Sequence, residues 1–199
     1  MSKSFLDAVK ERRSVYAISK ESPISDDQIK AIVEEAVLHS PTSFNSQSSR
    51  AVVLLGEQQD KLWDITTETL RKIVPAEQFE GTAQKLASFK AGYGSVLFFE
   101  DQAVVKSLQE NFALYAENFP IWSNQSSGIL QFVVWTAFSE AGLGASLQHY
   151  NPLIDDEVKE TFGIPAEWKL IAQMPFGKVV TPPGEKEFQP IEDRVKVLK

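Results

Sequence analysis

The stretch between residues 121 and 142 restricts the fold more than any other, because apolar side chains surround almost its whole helical cylinder. These apolar residues are Ile129, Leu130, Phe132, Val133, Val134, Trp135, Ala137, Phe138 and Ala141. A helix that is apolar on nearly every side must pack against several neighbours, so the pattern predicts a central core helix. Polar residues and three glycines interrupt the wider region 128–147, which argues against a membrane span.

Shorter helices and strands are predicted on both sides of this helix. A first helix ends near Arg12, and a capping box of Ser25 and Gln28 opens a second helix that ends before Pro41. Further helices are predicted over 58–73, 76–90, 102–117 and 155–161, strands over 51–55, 95–99, 145–147 and 168–174, and a Pro/Gly-rich loop over 175–190. No repeat or linker divides the chain, so one α+β domain is predicted over residues 1–199.

The composition is that of an ordinary globular protein. Hydrophobic residues make up 43% and charged residues 24% of the 199 residues, which excludes disordered and collagen-like classes. The formal net charge of −7 disfavours nucleic acid or an anionic membrane surface as the main partner. Cysteine is absent, and the first residues, MSKSFLDAVKERRS, lack the apolar run of a signal peptide. We therefore expect a cytoplasmic protein.

Few of the side chains that usually carry catalysis are present. The two histidines, His39 and His149, belong to no zinc-binding motif, and His39 is expected to end the second helix. The sequence lacks the motifs of nucleophile-elbow hydrolases, Rossmann sites and P-loops. Paired carboxylates lie at predicted helix starts, where acids favour the helix dipole, or in the tail. We therefore predict no metal site and no catalytic side chain, and expect a bound cofactor to supply the chemistry.

Three polar clusters could hold such a cofactor. Arg12, Arg13 and Ser14 either satisfy the carbonyls that end the first helix or bind an anion. Residues 39–50, HSPTSFNSQSSR, are either a plain polar loop around a buried Phe or a set of hydrogen-bonding groups for a flat polar ligand. Residues 148–151 are either a capped strand end or part of a ligand site at that strand end.

In this order and at this chain length, the clusters resemble the nitroreductase family of FMN-dependent oxidoreductases. The matching segments are RRS at 12–14, SPTSFNSQ at 40–47, AGLG at 141–144, GASLQHYNP at 144–152 and MPFG at 174–177. The last two segments are most similar to a short branch that includes fungal fatty-acid-repression-mutant proteins and a copper-induced bacterial nitroreductase. The resemblance covers nearly the whole chain. It implies a nitroreductase-like fold, with a mixed or antiparallel sheet flanked by helices, and a homodimer with FMN at the subunit interface.

The resemblance also implies which residues bind FMN. They are Arg12, Arg13, Ser14, Pro41, Thr42, Ser43, Asn45, Gln47, Gln148, His149, Tyr150 and Lys186. The RRS segment and Lys186 would hold the phosphate, with Lys178 or Arg194 as substitute cations. The 41–47 loop would reach the flavin partly from the opposite subunit, and residues 148–150 would lie beside its ring.

Two departures from the family pattern lie within these residues. Better-known members have an acidic residue at the position of His149. They also have a Lys-x-Arg pair at the phosphate, where residues 185–187 here offer the single cation of Lys186. Ser48 and Ser49, which follow the loop, are expected to be ordinary loop residues.

The implied activity is transfer of electrons from NADH or NADPH to nitroaromatics or quinones through FMN. One shared pocket implies ping-pong kinetics, with the reductant a transient visitor. Two alternatives remain, namely a flavin reductase that passes electrons to free flavin and a non-catalytic protein that stores or senses flavin. The aromatic residues that could stack on an acceptor, or else belong to the core, are Phe44, Phe89, Tyr93, Phe119 and Trp122.

Overall fold

Seven helices and five strands lie within residues 4–199, the part of the chain that the computed structural model describes. The helices are α1 (Phe5–Glu11), α2 (Asp26–His39), α3 (Glu57–Arg71), α4 (Phe79–Lys90), α5 (Gln102–Asn111), α6 (Phe119–Glu140) and α7 (Asp155–Phe162). The strands are β1 (Ile18–Ser19), β2 (Ser49–Leu55), β3 (Gly94–Asp101), β4 (Leu143–Ala145) and β5 (Trp168–Val179). Short 3₁₀ turns lie at Ser43–Asn45, Ala76–Gln78, Ala113–Tyr115 and Ile191–Asp193.

The capping box predicted for α2 is present. The Ser25 hydroxyl accepts a hydrogen bond from the Gln28 N–H at 3.3 Å, and the Gln28 side chain accepts one from the Ser25 N–H at 2.9 Å. These two bonds satisfy donors that a helix N-terminus would otherwise leave free. The helix ends at His39, as predicted, and Ser40 is extended before Pro41.

The strands form one antiparallel sheet in the order β1-β5-β3-β2, with β4 also paired to β5. This confirms the antiparallel alternative of the predicted sheet. β4 begins at Leu143, two residues earlier than predicted. Gly142 takes a φ of +84° just after α6, so the helix stops there and the next residues are free to pair with β5.

β5 is longer than predicted, because it continues through Pro175 and Gly177 to Val179. The prediction of a loop from residue 175 is therefore wrong at its start. The Pro175 carbonyl accepts from the Ser146 N–H at 3.3 Å, so the proline still takes part in pairing. Gly177 permits a close approach of β1, since a Cβ at this position would overlap the Ser19 carbonyl.

Hydrophobic clusters cover both faces of the sheet. On one face α2 and α6 pack against Val96, Phe98 and Met174, and on the other α3, α4 and α7 pack against Leu97 and Phe99. α6 is the predicted central core helix, with Leu130, Val134 and Phe138 buried. No helix within residues 4–199 has the length and apolar character needed to cross a membrane.

Candidate functional site

Arg12, Arg13 and Ser14 lie where α1 ends and the chain meets β4. The Arg12 N–H donates to the Ala8 carbonyl at 3.0 Å and closes the helix. Ser14 then pairs in parallel with Ala145 as an isolated bridge, and the next N–H, that of Val15, donates to the Ala145 carbonyl at 2.9 Å. The helix end and the strand together fix the position of the RRS segment.

The Arg12 guanidinium lies over the ring of Trp135 on α6, 4.2 Å from the ring centre. Its Nε is buried and has no hydrogen-bond partner among residues 4–199, and the Nε1 of Trp135 is in the same condition. Burial lowers the pKa of the Arg12 guanidinium, and the neighbouring charge of Arg13 adds to that shift. A buried donor without an acceptor is costly, so this donor set is chemically suited to an anion.

The C-terminal tail reaches the same place through Arg13. The Arg13 Nη2 donates to the carbonyl of Gly184 at 3.0 Å, which brings the backbone two residues from Lys186 to the RRS segment. Lys186 itself lies over the ring of Phe188. The substitute cations are placed differently, because Lys178 pairs with Glu21 at 2.7 Å and Arg194 is exposed farther along the tail.

The 41–47 loop is held in an unusual backbone conformation. Phe44, Asn45 and Gln47 all have positive φ angles, of 58°, 48° and 50°, although none is glycine. The Thr42 hydroxyl accepts from the Gln47 N–H at 3.0 Å and closes the loop on itself. Just before the loop, the Ser40 Oγ is buried without a hydrogen-bond partner in the described part of the chain.

Phe44 is 52% exposed, so the expectation that it is buried is wrong. Its ring packs against four others and forms with them what we call the five-ring cluster, made of Phe44, Phe112, Tyr115, Phe119 and Trp122. The positive φ of Phe44 turns its side chain outward onto the start of α6, where these rings lie. The cluster is partly open to solvent, since Phe112 and Tyr115 are also exposed.

Two other aromatic candidates lie outside this cluster. Phe89 is fully buried in the core beside Trp63, which makes it a core residue. Tyr93 donates a hydrogen bond to Asp26 at 2.5 Å. The structure therefore separates both from the 41–47 loop.

The loop also forms one wall of a cavity of about 510 Å³. Thr42 and Gln47 line it together with Val33 and Val37 of α2 and Trp168 at the start of β5. A cavity of this size falls within the range of small-molecule pockets.

The expectation that Ser48 and Ser49 are ordinary loop residues is wrong. Both are buried, and their hydroxyls donate to the two carboxylate oxygens of Glu100 at 2.6 and 2.5 Å. Arg50 follows and pairs with Asp101 at 2.9 Å. None of the residues in this network was among the predicted site residues. Its sequence signal is the run Val96-x-Phe98-x-Glu100, in which an acid takes the position that the alternation reserves for an apolar side chain.

The segment after β4 is fixed by Gln173 of β5. Gln148 and Gln173 exchange backbone hydrogen bonds of 2.7 and 2.9 Å, and the Gln173 side chain accepts from the Tyr150 N–H at 2.8 Å. His149 is exposed, whereas the Tyr150 ring lies edge-on to Trp63 in the core beneath α3. Burial raises the pKa of Tyr150 to about 12. The ring of Tyr150 is thus turned away from the face of the sheet that carries α6.

Within one chain, the RRS segment and the 41–47 loop contact different ends of α6. Arg12 contacts Trp135, whereas Phe44 contacts Trp122, thirteen residues earlier on that helix. This spacing corresponds to about 20 Å along the helix axis and about 140° around it. The structure therefore brings the RRS segment close to residues 145–148 but leaves the 41–47 loop apart from both.

Among residues 4–199, no group of three or more His, Cys, Asp or Glu side chains is placed to hold a metal ion. The arrangement offers partly buried cationic donors, a strained polar loop and an exposed aromatic cluster. Such groups bind and orient a ligand, and none of them forms a nucleophile–base pair.

Comparison with known proteins gives a consistent result over this whole region. The sequence matches the Nitroreductase family over residues 9–178. Putative nitroreductase HBN1 of Saccharomyces cerevisiae is 36% identical over 187 residues, which are 93% of each protein. Nitroreductase CinD from Lactococcus lactis, solved in complex with chloramphenicol and with 4-nitrophenol, is 48% identical, with TM-scores of 0.91 and 0.90. Both matches cover 98% of this chain and 100% of that one.

A more distant structure shares the fold alone. It is a putative nitroreductase from Exiguobacterium sibiricum 255-15 in complex with FMN, 17% identical, with a TM-score of 0.72 over 100% of this chain and 99% of that one. The antiparallel sheet, the central α6 and the placement of the RRS segment are thus accompanied by a family match over most of the sequence. This chain belongs to the nitroreductase family and is an oxidoreductase.

Proposed function

We propose that the chain binds FMN at the interface of a homodimer and transfers electrons from NADH or NADPH to nitroaromatic or quinone acceptors. The observation that carries this proposal is the Arg12 guanidinium, whose buried Nε lacks a partner beside Arg13 and Ser14. Charge-assisted bonds from an arginine fork suit a phosphate group, so these residues fit the FMN phosphate. The FMN bound to the Exiguobacterium protein of the same fold supports the same choice of cofactor.

A homodimer would join the two separated parts of the site. The RRS segment and the 41–47 loop are about 20 Å apart along α6, so a two-fold axis near α6 could bring the loop of one subunit to the RRS segment of the other. Exposed apolar side chains on α1, α2 and α6 support an interface there, because such groups on neighbouring helices usually mark a contact surface. They include Leu6, Leu38, Ile121 and Ile129.

In this proposal the chain contributes binding and orientation. Arg12, Arg13 and Ser14 would hold the phosphate, and the 41–47 loop would present its backbone and polar side chains to the ring system. FMN, when bound, supplies the redox chemistry by accepting a hydride from NAD(P)H and returning electrons to the acceptor. Cations and N–H donors near the pyrimidine end of the ring would stabilise the negative charge that reduction places there. No side chain of the chain is assigned as an obligatory acid or base.

The acceptor would bind in the same pocket after the nicotinamide leaves, which gives ping-pong kinetics. The chloramphenicol and 4-nitrophenol bound to CinD, which is 48% identical, support nitroaromatics as the acceptor class. Three rings of the five-ring cluster are exposed, and a flat aromatic acceptor could pack on them in the offset or edge contacts that aromatic pairs favour.

The test begins with the absorbance of the purified protein. We expect a yellow protein with flavin bands that bleach rapidly when NADH or NADPH is added without oxygen, and that recover when a nitroaromatic or quinone follows. A colourless protein that stays colourless after refolding with FMN would overturn the proposal. Bound flavin that does not bleach would instead indicate storage or sensing, and faster turnover with free flavin than with any other acceptor would indicate a flavin reductase.

A further inference from the structure

A fully buried carboxylate lies beneath the end of the 41–47 loop, and the proposed mechanism does not use it. Glu100 belongs to β3, in the alternation that places Val96 and Phe98 on the face of the sheet covered by α2 and α6. An apolar side chain would fill this position at no electrostatic cost. Burying an ionisable side chain costs stability unless it is well hydrogen-bonded, which raises the question of its role.

Both oxygens of this carboxylate are bonded to the residues that directly follow the loop. Ser48 donates to Oε2 at 2.6 Å and Ser49 donates to Oε1 at 2.5 Å. A protonated acid or an amide at position 100 carries a hydrogen-bond donor on one of these two atoms, so the serine opposite that atom would have to accept instead of donate. The ionised carboxylate is therefore the form that fixes both hydroxyls in the observed orientation.

The loop that ends at these serines needs such support, because three of its non-glycine residues have positive φ angles. Backbone in this region persists only where the surrounding structure holds it. Thr42 closes the loop through the Gln47 N–H, and Arg50 donates to the Gln47 carbonyl at 2.5 Å while pairing with Asp101. Glu100 fixes the two residues between Gln47 and Arg50.

We propose that Glu100 is a positioning residue, which acts through Ser48 and Ser49 to hold the 41–47 loop in the conformation that contacts FMN. This inference rests on the proposed function of that loop. Glu100 touches neither FMN nor the acceptor, and its effect is carried by the backbone that leaves the loop.

The charges around Glu100 are few. Burial raises the pKa of the Glu100 carboxyl, and the hydrogen bonds from Ser48 and Ser49 oppose that shift. Arg50 of β2 lowers and Asp101 of β3 raises the same pKa by smaller amounts. Other charged residues lie on the elements packed against β3.

Lys169 of β5 is the register partner of Glu100 and is exposed. On α2, Glu34 lies in the cavity wall. On α6, the one charged residue is Glu140, at the far end of the helix. The pKa of Glu100 is set instead by burial, by the two serines, and by Arg50 and Asp101. Protonation of Glu100 would place a donor on one of its oxygens and so change the hydrogen bonds with the two serines.

The experiment compares FMN binding by the full chain and by Glu100→Gln across a pH series. Glutamine has the same size but places an NH2 donor opposite one of the two serines. The ratio of the two FMN dissociation constants is expected to be about tenfold near pH 8, the effect of losing one charge-assisted bond. It should fall towards one as the pH is lowered through the pKa of Glu100, because the wild-type side chain is then neutral as well.

Using the ratio of the two dissociation constants cancels the titration of the FMN phosphate. Glu160→Gln, an exposed acid on α7, is the matched control and is expected to bind FMN like the wild type at every pH.

Each outcome decides the question. If the wild-type chain does not bind FMN, the proposed function fails and this inference fails with it. If the wild type binds FMN and the ratio stays near one throughout, Glu100 does not position the loop. A raised ratio that does not change with pH also overturns the proposal, because it indicates only a packing defect.

Should Glu100→Gln fail to fold, the Ser48→Ala/Ser49→Ala double variant keeps the carboxylate and removes both contacts. A loss of about tenfold is again expected, and unchanged affinity would overturn the proposal.

Discussion

Arg12 and Glu100 both bury ionisable side-chain atoms, and they differ in what those atoms bond to. Glu100 receives hydrogen bonds on both oxygens from its own chain, whereas the Nε of Arg12 is buried without a partner. A satisfied buried charge fixes local structure, and an unsatisfied one is prepared for a ligand of opposite charge. Buried ionisable groups therefore support two different roles in this molecule.

Replacement of Arg12 by alanine is expected to weaken FMN binding by about 1–3 kcal/mol, because one charge-assisted contact to the phosphate is lost. Isothermal titration with FMN measures this change, and thermal unfolding of the FMN-free protein shows whether the fold is intact. Arg71→Ala is the control, since Arg71 also lies over an aromatic ring, Phe79, at 4.4 Å but far from the proposed site. FMN affinity that is equal in Arg12→Ala and the wild type would remove Arg12 from the site.

Glu100 also gives the stability of the protein a pH dependence of predictable sign. Burial raises its pKa in the folded state, so its contribution to stability is fully present below the unfolded pKa and is lost as the pH rises through the folded value. The unfolding free energy of the wild type is therefore expected to fall relative to that of Glu100→Gln as the pH rises from about 4.5 towards neutrality. Urea unfolding of both FMN-free proteins over this range measures the difference. A difference that does not change with pH would show that Glu100 titrates normally.

At the scale of helices and strands, local signals predicted most of the fold. The capping box of α2 and the apolar periodicity of α6 depend on residues close in sequence, and both predictions are confirmed. The two-residue strand β1 and the extension of β5 were missed. Proline and glycine usually end strands, and at positions 175 and 177 the strand continues because it pairs with residues distant in the sequence. The RRS segment was identified from its own residues, as a helix cap or an anion site, and its assignment to the FMN phosphate came from the resemblance to a family. The acid at position 100 interrupts a local apolar alternation, but its partners Ser48 and Ser49 lie about fifty residues away and no local pattern identifies them.

Gly177→Ala is expected to destabilise the protein by about 1–3 kcal/mol, the usual cost of overpacking. An added Cβ would overlap the Ser19 carbonyl, so β1 would have to move away from β5. Gly81→Ala is the matched control, because Gly81 lies in α4 with nothing within 4 Å of a new Cβ. There the change is expected to stabilise the protein by about 1 kcal/mol through helix propensity. Urea unfolding of the two variants gives both values, and equal values would contradict the proposed close approach.

At the scale of the whole molecule, the separation of the RRS segment from the 41–47 loop is the main consequence of the fold. α6 lies between them, and each contacts one end of it. Their contact points on α6 lie about 20 Å apart, so we expect a site that needs both parts to take one from each of two chains. The proposed homodimer is therefore a requirement of the proposed cofactor site.

Mixing two defective variants tests this requirement directly. Arg12→Ala removes a phosphate contact, and Thr42→Val removes the hydroxyl that closes the loop at the Gln47 N–H. If each site takes one part from each subunit, refolding the two variants together restores about one quarter of the sites to wild-type FMN affinity, by random pairing in a two-fold dimer. If each site comes from one chain, no such population appears in the titration. Each variant refolded alone is the control.

The contact between Arg13 and the Gly184 carbonyl joins the proposed site to the exposed C-terminal tail. Exposed tails are the preferred substrates of proteases, and Lys186 and Arg194 are both potential trypsin cleavage sites in this segment. Cleavage after Lys186 should be slowed when FMN covers Arg13 and Lys186, while cleavage after Arg194 should proceed at an unchanged rate. The ratio of the two peptide fragments would then measure how much of a protein sample carries cofactor, and cofactor supply would govern how long the intact chain survives.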